Sequence, residues 1–370
     1  MVQLSRRTYG QVSWTEIVSL ALVLARLPLI LLWSLFKASF VPSCKTHKSW
    51  RRVLGDTAFR HLADSWNVSQ FQYYLGPTLQ VYAAWAKKEG LSVLVDEIGE
   101  GARLLWIGPR RADRVVLYFH GGGYLVPLSD FAASFWNYVR LELARDGLDV
   151  GFAILNYSIV PTASFPQQLI QAVKAIQHVI DSGCSPQNIQ IVGDSAGANL
   201  ALAFLSHMIH PVKGIQQVSL PSRIRGVYLM SPWVSLTGDT GSHAANDHTD
   251  VVGAATFAEC GRNVFENVPE SLRVYLEARK APEAWFKGVD GIVDRILVTA
   301  GGAECLRDNI VKVANRLVEH HQGAVRLIVQ EKGVHNDPFY DFLAREKNLC
   351  YLTPEVVQWV RDGFVEGQAC

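Results

Sequence analysis

The heptapeptide G-D-S-A-G-A-N at residues 193–199 decides how the rest of the chain is interpreted. It follows a short apolar run at 189–192, which is typical of a buried strand, and it opens a helical pattern over 200–208. A serine flanked by glycines at a strand-to-helix turn is typical of a strained nucleophile elbow, because a Cβ would clash where strand and helix cross. We therefore predict that Ser195 is a catalytic nucleophile.

A second glycine motif, H-G-G-G-Y at 120–124, directly follows another buried-strand run at 114–119. A glycine run lets the main chain approach a substrate oxygen without a clashing side chain. Ser195 with a histidine base and preorganised backbone N–H groups would meet the two needs of ester attack, proton removal and oxyanion stabilisation.

Further motifs follow in a fixed order. They are N-Y-S-I-V-P at 156–161 followed by F-P at 165–166, S-P-W at 231–233, E-C-L-R-D at 304–308 and G-V-H at 333–335. With these motifs the chain from residue 91 onward resembles the hormone-sensitive-lipase-like branch of the α/β-hydrolases. That group includes microbial carboxylesterases, arylacetamide deacetylase and fungal steryl acetyl hydrolases. The resemblance implies an α/β-hydrolase fold with a helical cap.

Chain order selects the catalytic histidine. In α/β-hydrolases the order is serine, acid, histidine, and His335 follows the last strand-like run at 325–329 after a short turn. The other late candidates, His320 and His321, end a helical pattern, where a cation is favoured by the helix dipole. We expect those two side chains to be solvated.

Two carboxylates compete for the role of triad acid beyond the strand predicted at 295–300. Many relatives carry aspartate at the position of Glu304, so this chain departs from their pattern by one methylene. A glutamate can still orient the imidazole, since the role needs a fixed carboxylate at Nδ1 and no proton transfer. Asp308 is the alternative, although its place in the first turn of a predicted helix also suits a purely structural role.

The oxyanion hole is expected to use main-chain donors. One is the N–H of Ala196, the residue after the nucleophile, and the resemblance places the others at Gly122 and Gly123. We expect His120 to hold the glycine loop, and Asp194 to brace the elbow through loop hydrogen bonds.

Length and composition fit one large catalytic domain. The chain has 370 residues, 49% of them hydrophobic, and alternates short apolar runs with helical patterns. This alternation predicts a mostly parallel eight-stranded sheet with helices on both faces. Strands are predicted near 92–98, 103–107, 114–119, 149–155, 188–193, 224–230, 295–300 and 325–330, and helices near 131–146, 166–182, 196–209, 307–320 and 354–366.

The predicted organisation is an N-terminal segment at 1–45, a first part of the cap at 46–90, and a catalytic domain at 91–370. A cap insertion is expected at about 235–290, which is too long for a simple connection. This insertion contains five aromatic residues that line a pocket or pack the cap: Phe257, Phe265, Tyr275, Trp285 and Phe286. Its polar start, 238–250, is interpreted as an entrance to the cap rather than a metal site, although it holds Asp239, His243, Asp247, His248 and Asp250.

The N-terminus predicts a membrane helix at about 17–36, where 16 of 20 residues are apolar although Arg26 lies near the middle. A helix of this length spans about 30 Å, one bilayer core. A signal peptide and an interfacial helix are the alternatives. Positive charges behind the helix favour a cytoplasmic catalytic domain, whereas the steryl acetyl hydrolase resemblance suggests the lumen of the endoplasmic reticulum. The triplet 67–69 is a glycosylation acceptor if lumenal.

Several classes of function are disfavoured. The net charge of +1 gives no electrostatic footprint for nucleic acid, and no phosphate loop or dinucleotide fingerprint occurs. The six cysteines, at 44, 184, 260, 305, 350 and 370, show no zinc-binding spacing. We expect no cofactor and no metal.

The leading hypothesis is a membrane-anchored serine carboxylesterase or deacetylase that acts on a small apolar ester through an acyl-Ser195 intermediate. One alternative is a tailoring hydrolase of a fungal secondary-metabolite pathway, which cleaves an ester or thioester or promotes condensation. A non-catalytic ligand receptor on the same fold is the other. The presence of His335 disfavours the receptor.

Overall fold

The computed structural model describes residues 8–41, 48–238 and 241–365. Its centre is one sheet of eight strands: β1 (Val95–Gly99), β2 (Ala102–Ile107), β3 (Val115–Phe119), β4 (Gly151–Asn156), β5 (Ile189–Asp194), β6 (Gly226–Met230), β7 (Ile296–Gly301) and β8 (Val325–Gln330). The spatial order is β1-β2-β4-β3-β5-β6-β7-β8. Strand β2 runs antiparallel to both neighbours, and the other pairs are parallel. The predicted mostly parallel sheet is confirmed.

Helices cover both faces of this sheet. The helices of the described residues are α1 (Trp14–Phe40), α2 (Trp50–Ser65), α3 (Val68–Leu75), α4 (Thr78–Lys88), α5 (Asp130–Arg145), α6 (Gln167–Asp181), α7 (Ala196–Ile209), α8 (Gly241–Ala245), α9 (Ala254–Phe265), α10 (Arg307–His320), α11 (Asp337–Leu343) and α12 (Leu352–Val365). Successive side chains of a strand point to opposite faces. Thus Val115, Leu117 and Phe119 of β3 join one core with α6, α7 and α10, while Val116 and Tyr118 join the other with α4, α5 and α12.

Element boundaries depart from the sequence prediction in three places. The first strand begins at Val95, three residues later than predicted, and α1 spans Trp14–Phe40 rather than 17–36. Helix α1 begins early because Ser13 and Glu16 form a capping box, in which each side chain bonds the other's backbone N–H. The short helix α11 was not predicted, and it begins directly after the G-V-H motif.

A buried ion cluster ties the N-terminal helices to the catalytic domain. Arg52 of α2 is 5% exposed and contacts three carboxylates. Its Nη2 lies 2.7 Å from Asp337 Oδ1, its Nη1 2.5 Å from Asp341 Oδ1 and its Nε 3.1 Å from Asp56 Oδ1. Asp337 and Asp341 belong to α11, so α2 is fixed to the helix that follows His335.

The two segments predicted to form a cap touch each other. The guanidinium of Arg60, on α2, donates to the carbonyl oxygens of Asp247 (2.7 Å) and Asp250 (3.1 Å). Thr256 of α9 donates to Asp64 at 3.0 Å. Beyond α9 the second segment continues as three 3-10 turns, Glu270–Tyr275, Glu283–Phe286 and Val289–Gly291.

Candidate active site

The nucleophile elbow lies at the carboxyl end of β5. Ser195 joins β5 to α7 with φ +50° and ψ −115°, a strained conformation for a residue with a Cβ. The flanking glycines are required by close packing. A Cβ on Gly193 would lie 2.6 Å from the carbonyl carbon of Gly197, and a Cβ on Gly197 would lie 1.9 Å from the carbonyl oxygen of Phe119. The sequence therefore places the serine on a sharp, buried turn at the carboxyl end of β5.

The predicted oxyanion donors lie in the loop after β3, at Gly122 and Gly123, and at the first residue of α7, Ala196. Gly122 and Gly123 have φ angles of +102° and +63°, which turn the loop after β3 back on itself. Within the described part of the chain, no hydrogen bond uses the N–H of Gly122, Gly123 or Ala196. Unpaired N–H groups at the end of a sheet and the start of a helix are suited to bind a developing oxyanion.

Asp194 connects three loops of the site. One of its oxygens accepts hydrogen bonds from the Tyr118 hydroxyl (2.6 Å) and the Gly121 N–H (2.7 Å). The other accepts from the Asn336 side-chain amide at 2.9 Å. The glycine loop, the elbow and the histidine loop are thereby held together, as expected of a bracing residue.

His335 lies against Glu304. Nδ1 of His335 is 3.3 Å from Oε2 of Glu304, which is longer than a well-formed hydrogen bond. The two residues are 3% and 0% exposed. Catalytic hydrogen bonds are often long without substrate and tighten when it binds. Burial lowers the pKa of His335, whereas it raises the pKa of Glu304 to about 8.

Asp308, the alternative acid, faces elsewhere. Its carboxylate accepts the backbone N–H of Ser242 at 2.9 Å and pairs with Arg307 at 2.9 Å. It lies in the first turn of α10, where a negative side chain is favourable. The geometry thus brings Glu304, and not Asp308, to the imidazole of His335.

Two other histidines, His120 and His321, have structural roles. His120 stacks on Tyr157 with ring centroids 4.5 Å apart, its Nδ1 lies 2.7 Å from the Gly121 carbonyl oxygen, and burial lowers its pKa to about 4. The ring is therefore neutral and holds the glycine loop. The expectation of a solvated His321 was wrong: it is 7% exposed, because its Nε2 lies 2.8 Å from the Val293 carbonyl oxygen.

Helix α9 covers the site. Phe257 meets His335 edge to face, with ring centroids 5.2 Å apart. Cys260 lies one turn further on, and its Sγ would be 3.8 Å from a Cβ placed on Gly123. Other aromatics of the insertion pack the core, for example Phe286, which is fully buried. Phe257 and Cys260 therefore bound the space above the catalytic groups.

Sequence reasoning missed Asp250. The interpretation of 238–250 as a polar entrance was wrong for Asp250 and His243, which are 4% and 8% exposed. Asp250 is buried because its carboxylate accepts three backbone N–H groups, from Val251, Cys305 and His335. Among the described residues no group of three or more His, Cys, Asp or Glu is arranged to hold a metal ion; Asp239, Cys44 and Cys370 lie outside them.

Comparison with known proteins agrees with this geometry. A family model described as the alpha/beta hydrolase fold matches residues 116–338. The chain is 28% identical over 236 residues to a Schizosaccharomyces pombe protein that carries the name of a steryl acetyl hydrolase, covering 62% of this chain and 60% of that protein. It is 22% identical over 251 residues to steryl acetyl hydrolase 1 of Saccharomyces cerevisiae, covering 62% and 55%.

A solved esterase of the bacterial hormone-sensitive lipase family superposes with a TM-score of 0.66 at 19% identity, covering 88% of this chain and all of that one. The chain spans 60% and 55% of the length of the two yeast relatives named above. It is also similar to human hormone-sensitive lipase, 28% identical over 187 residues, covering 44% of this chain and 17% of that protein. The chain belongs to the α/β-hydrolase family.

Proposed function

We propose that this protein is a serine carboxylesterase or deacetylase that cleaves a small apolar ester through an acyl-Ser195 intermediate. The observation that carries the proposal is the meeting of four features at one sheet edge. These are a serine on a strained elbow, three unpaired N–H groups beside it, a buried neutral imidazole, and a carboxylate 3.3 Å from that imidazole. The family's named relatives include acetyl hydrolases and cholesterol ester hydrolases.

The mechanism follows from the roles of these groups. His335 takes the hydroxyl proton of Ser195 as its oxygen attacks the ester carbonyl, and Glu304 stabilises the resulting imidazolium. The N–H groups of Gly122, Gly123 and Ala196 would bind the oxyanion. The alcohol leaves with the proton from the imidazolium. Water then attacks the acyl-serine, gives its proton to the imidazole, and the acid is released as the serine recovers its own.

The helices over the site support a short acyl group. Cys260 approaches the glycine loop closely enough that the space above Gly123 is narrow, and Phe257 closes the side next to His335. We infer that α2, α3 and residues 241–291 together form the cap, because Arg60 and Thr256 join α2 to the second segment. The predicted first part of the cap at 46–90 is too long, since Tyr82 and Trp85 of α4 are buried in the core of the central sheet. The cap then limits the acyl part, while an apolar alcohol part fits the aromatic surroundings.

Helix α1 supports attachment to a membrane. It is the one helix of the described residues that is long and apolar enough to cross a bilayer, and Leu29 and Leu32 are 71% and 65% exposed. Resistance of the protein to alkaline extraction from membranes would support the anchor, whereas release of a shortened soluble chain would identify a cleaved signal sequence. A glycan on Asn67 would displace its hydrogen bond to Glu16, so we expect no mass change on deglycosylation.

Labelling with a fluorophosphonate tests the catalytic proposal. The probe is applied to the membrane-associated full chain and to Ser195→Ala, followed by p-nitrophenyl acetate, butyrate and longer esters. We expect labelling of the native chain only, with fastest turnover of the acetate. Labelling without turnover of any simple ester would favour a specialised pathway substrate. Absence of labelling in a folded native chain would contradict the proposal and favour a ligand receptor.

A further inference from the structure

We propose that Asp250 is a positioning residue of the catalytic triad, because its carboxylate clamps the loop of His335 to the loop of Glu304. The inference rests on the proposed function and deepens it. Glu304 follows β7 and His335 follows β8, so the two side chains meet only if two separate loops keep a fixed distance. Asp250 comes from neither loop; it belongs to the segment between α8 and α9.

The contacts are short and go to the catalytic loops themselves. Oδ1 of Asp250 accepts the N–H of His335 at 2.8 Å, and Oδ2 accepts the N–H of Cys305, the residue after Glu304, at 2.7 Å. A third N–H, from Val251, reaches Oδ1 at 2.8 Å. Hydrogen bonds to an ionised carboxylate are about twice as strong as neutral ones. The loops are also joined directly, because the N–H of Ala303 donates to the carbonyl oxygen of Gly333 at 2.8 Å. Asp250 adds a bridge between the residues next to the two catalytic side chains, the N–H of Cys305 and that of His335.

The backbone of Asp250 is held in turn by helix α2. Arg60 of α2 donates to the Asp250 carbonyl oxygen at 3.1 Å and to that of Asp247 at 2.7 Å. The segment that presents the carboxylate is thus fixed by the N-terminal helices. A displacement of this segment would be transmitted to the backbone at Cys305 and His335, because the Asp250 carboxylate accepts the N–H of both residues.

The charge of Asp250 also acts on the pair. Its carboxylate favours the protonated form of His335, as does Asp194 from the elbow, and Glu304 adds a third negative charge near Asp250. Three other ionisable side chains of the described residues face Asp250: Arg60 and Tyr340 from neighbouring helices, and the Cys305 thiol from the loop after β7. The negative charge of Asp250 opposes loss of a proton from the Glu304–His335 pair, and an uncharged residue at position 250 removes that effect.

Asp250→Asn in the full chain tests the inference. The amide offers one carbonyl oxygen, so it cannot accept all three N–H groups, and it has no charge. We expect kcat for p-nitrophenyl acetate to fall about 10- to 100-fold, the effect of a misplacement near 1 Å, with KM within about twofold. We also expect the acid limb of the kcat/KM profile to move to lower pH by about one unit, as for loss of a nearby charge.

Two further variants separate positioning from general stability. Asp250→Glu keeps the charge but displaces it, so kcat should fall while the acid limb stays at its native pH. Asp341→Asn removes a similarly buried carboxylate, one that accepts the N–H of Cys350 and pairs with Arg52. It should lower the thermal midpoint without moving the acid limb.

A native kcat in Asp250→Asn, or a lower kcat with an unmoved acid limb, would overturn the inference. If that variant fails to fold, the glutamate variant decides: a shifted acid limb there overturns the inference, and an unshifted limb with reduced kcat supports it. Turnover by the native chain tests the proposed function separately, since the Asp250 inference is tested by ratios between variant and native chain.

Discussion

Gly197→Ala tests the close crossing that creates the nucleophile elbow. The new Cβ would lie 1.9 Å from the carbonyl oxygen of Phe119 and 2.7 Å from that of His120, whereas real Cβ atoms essentially never approach closer than 3.0 Å. Helix α7 or the end of β3 must therefore move by about 1.1 Å, the difference between 3.0 and 1.9 Å. His120 leads directly into the glycine loop, so the movement separates the nucleophile from the oxyanion donors.

A misplacement of about 1 Å costs on the order of 100-fold in rate, or about 2.7 kcal/mol of transition-state stabilisation. Overpacking also lowers the free energy of unfolding by about 1 to 3 kcal/mol. The measurements are the rate of fluorophosphonate labelling, kcat for p-nitrophenyl acetate, and thermal unfolding. Gly291→Ala is the matched control, since nothing lies within 4 Å of its Cβ position. Labelling of Gly197→Ala at the native rate would refute the argument from packing.

Two other predictions concern the triad. Glu304→Gln should lower kcat by about 10⁴-fold, as loss of the orienting carboxylate does in serine proteases, while Asp308→Asn stays within twofold; the reverse result would move the acid role to Asp308. The acid limb of kcat/KM should lie above pH 7, because burial raises the pKa of Glu304 to about 8 and a protonated Glu304 would donate to Nδ1 of His335. The ring proton would then lie on Nε2, the atom that must accept the proton of Ser195. Activity should therefore rise with pH as Glu304 ionises. An acid limb with its midpoint below pH 6 would contradict this prediction.

The central sheet could be predicted because each of its strands is determined by residues that are close together in the sequence. Each strand is a short apolar run bounded by turn residues, and each glycine motif follows such a run, so eight strands and five main helices were placed within a few residues. The elbow and glycine loop were predicted for the same reason. Their functional atoms are backbone N–H groups whose positions depend on neighbours in sequence.

The parts that could not be predicted depend on distant contacts. Asp250 and His335 are 85 residues apart, and nothing in the polar stretch around Asp250 distinguishes a buried acceptor from a solvated one. Arg52 is one of the positive charges that follow the predicted membrane helix, yet it is buried among the carboxylates of α11. The distance between Glu304 and His335 likewise depends on the packing of two loops.

The Arg52 cluster determines how the chain can be shortened. A soluble enzyme made by deleting everything before residue 60 would lose the guanidinium and leave Asp337 and Asp341 enclosed without their cation. Removing one partner of a buried ion pair costs about 3 to 5 kcal/mol, a large part of a typical domain's stability. A deletion that ends before Lys48 keeps the whole cluster, including the Lys48–Asp56 pair. Helix α1, the proposed membrane anchor, therefore lies outside this cluster, whereas α2 belongs to the catalytic unit.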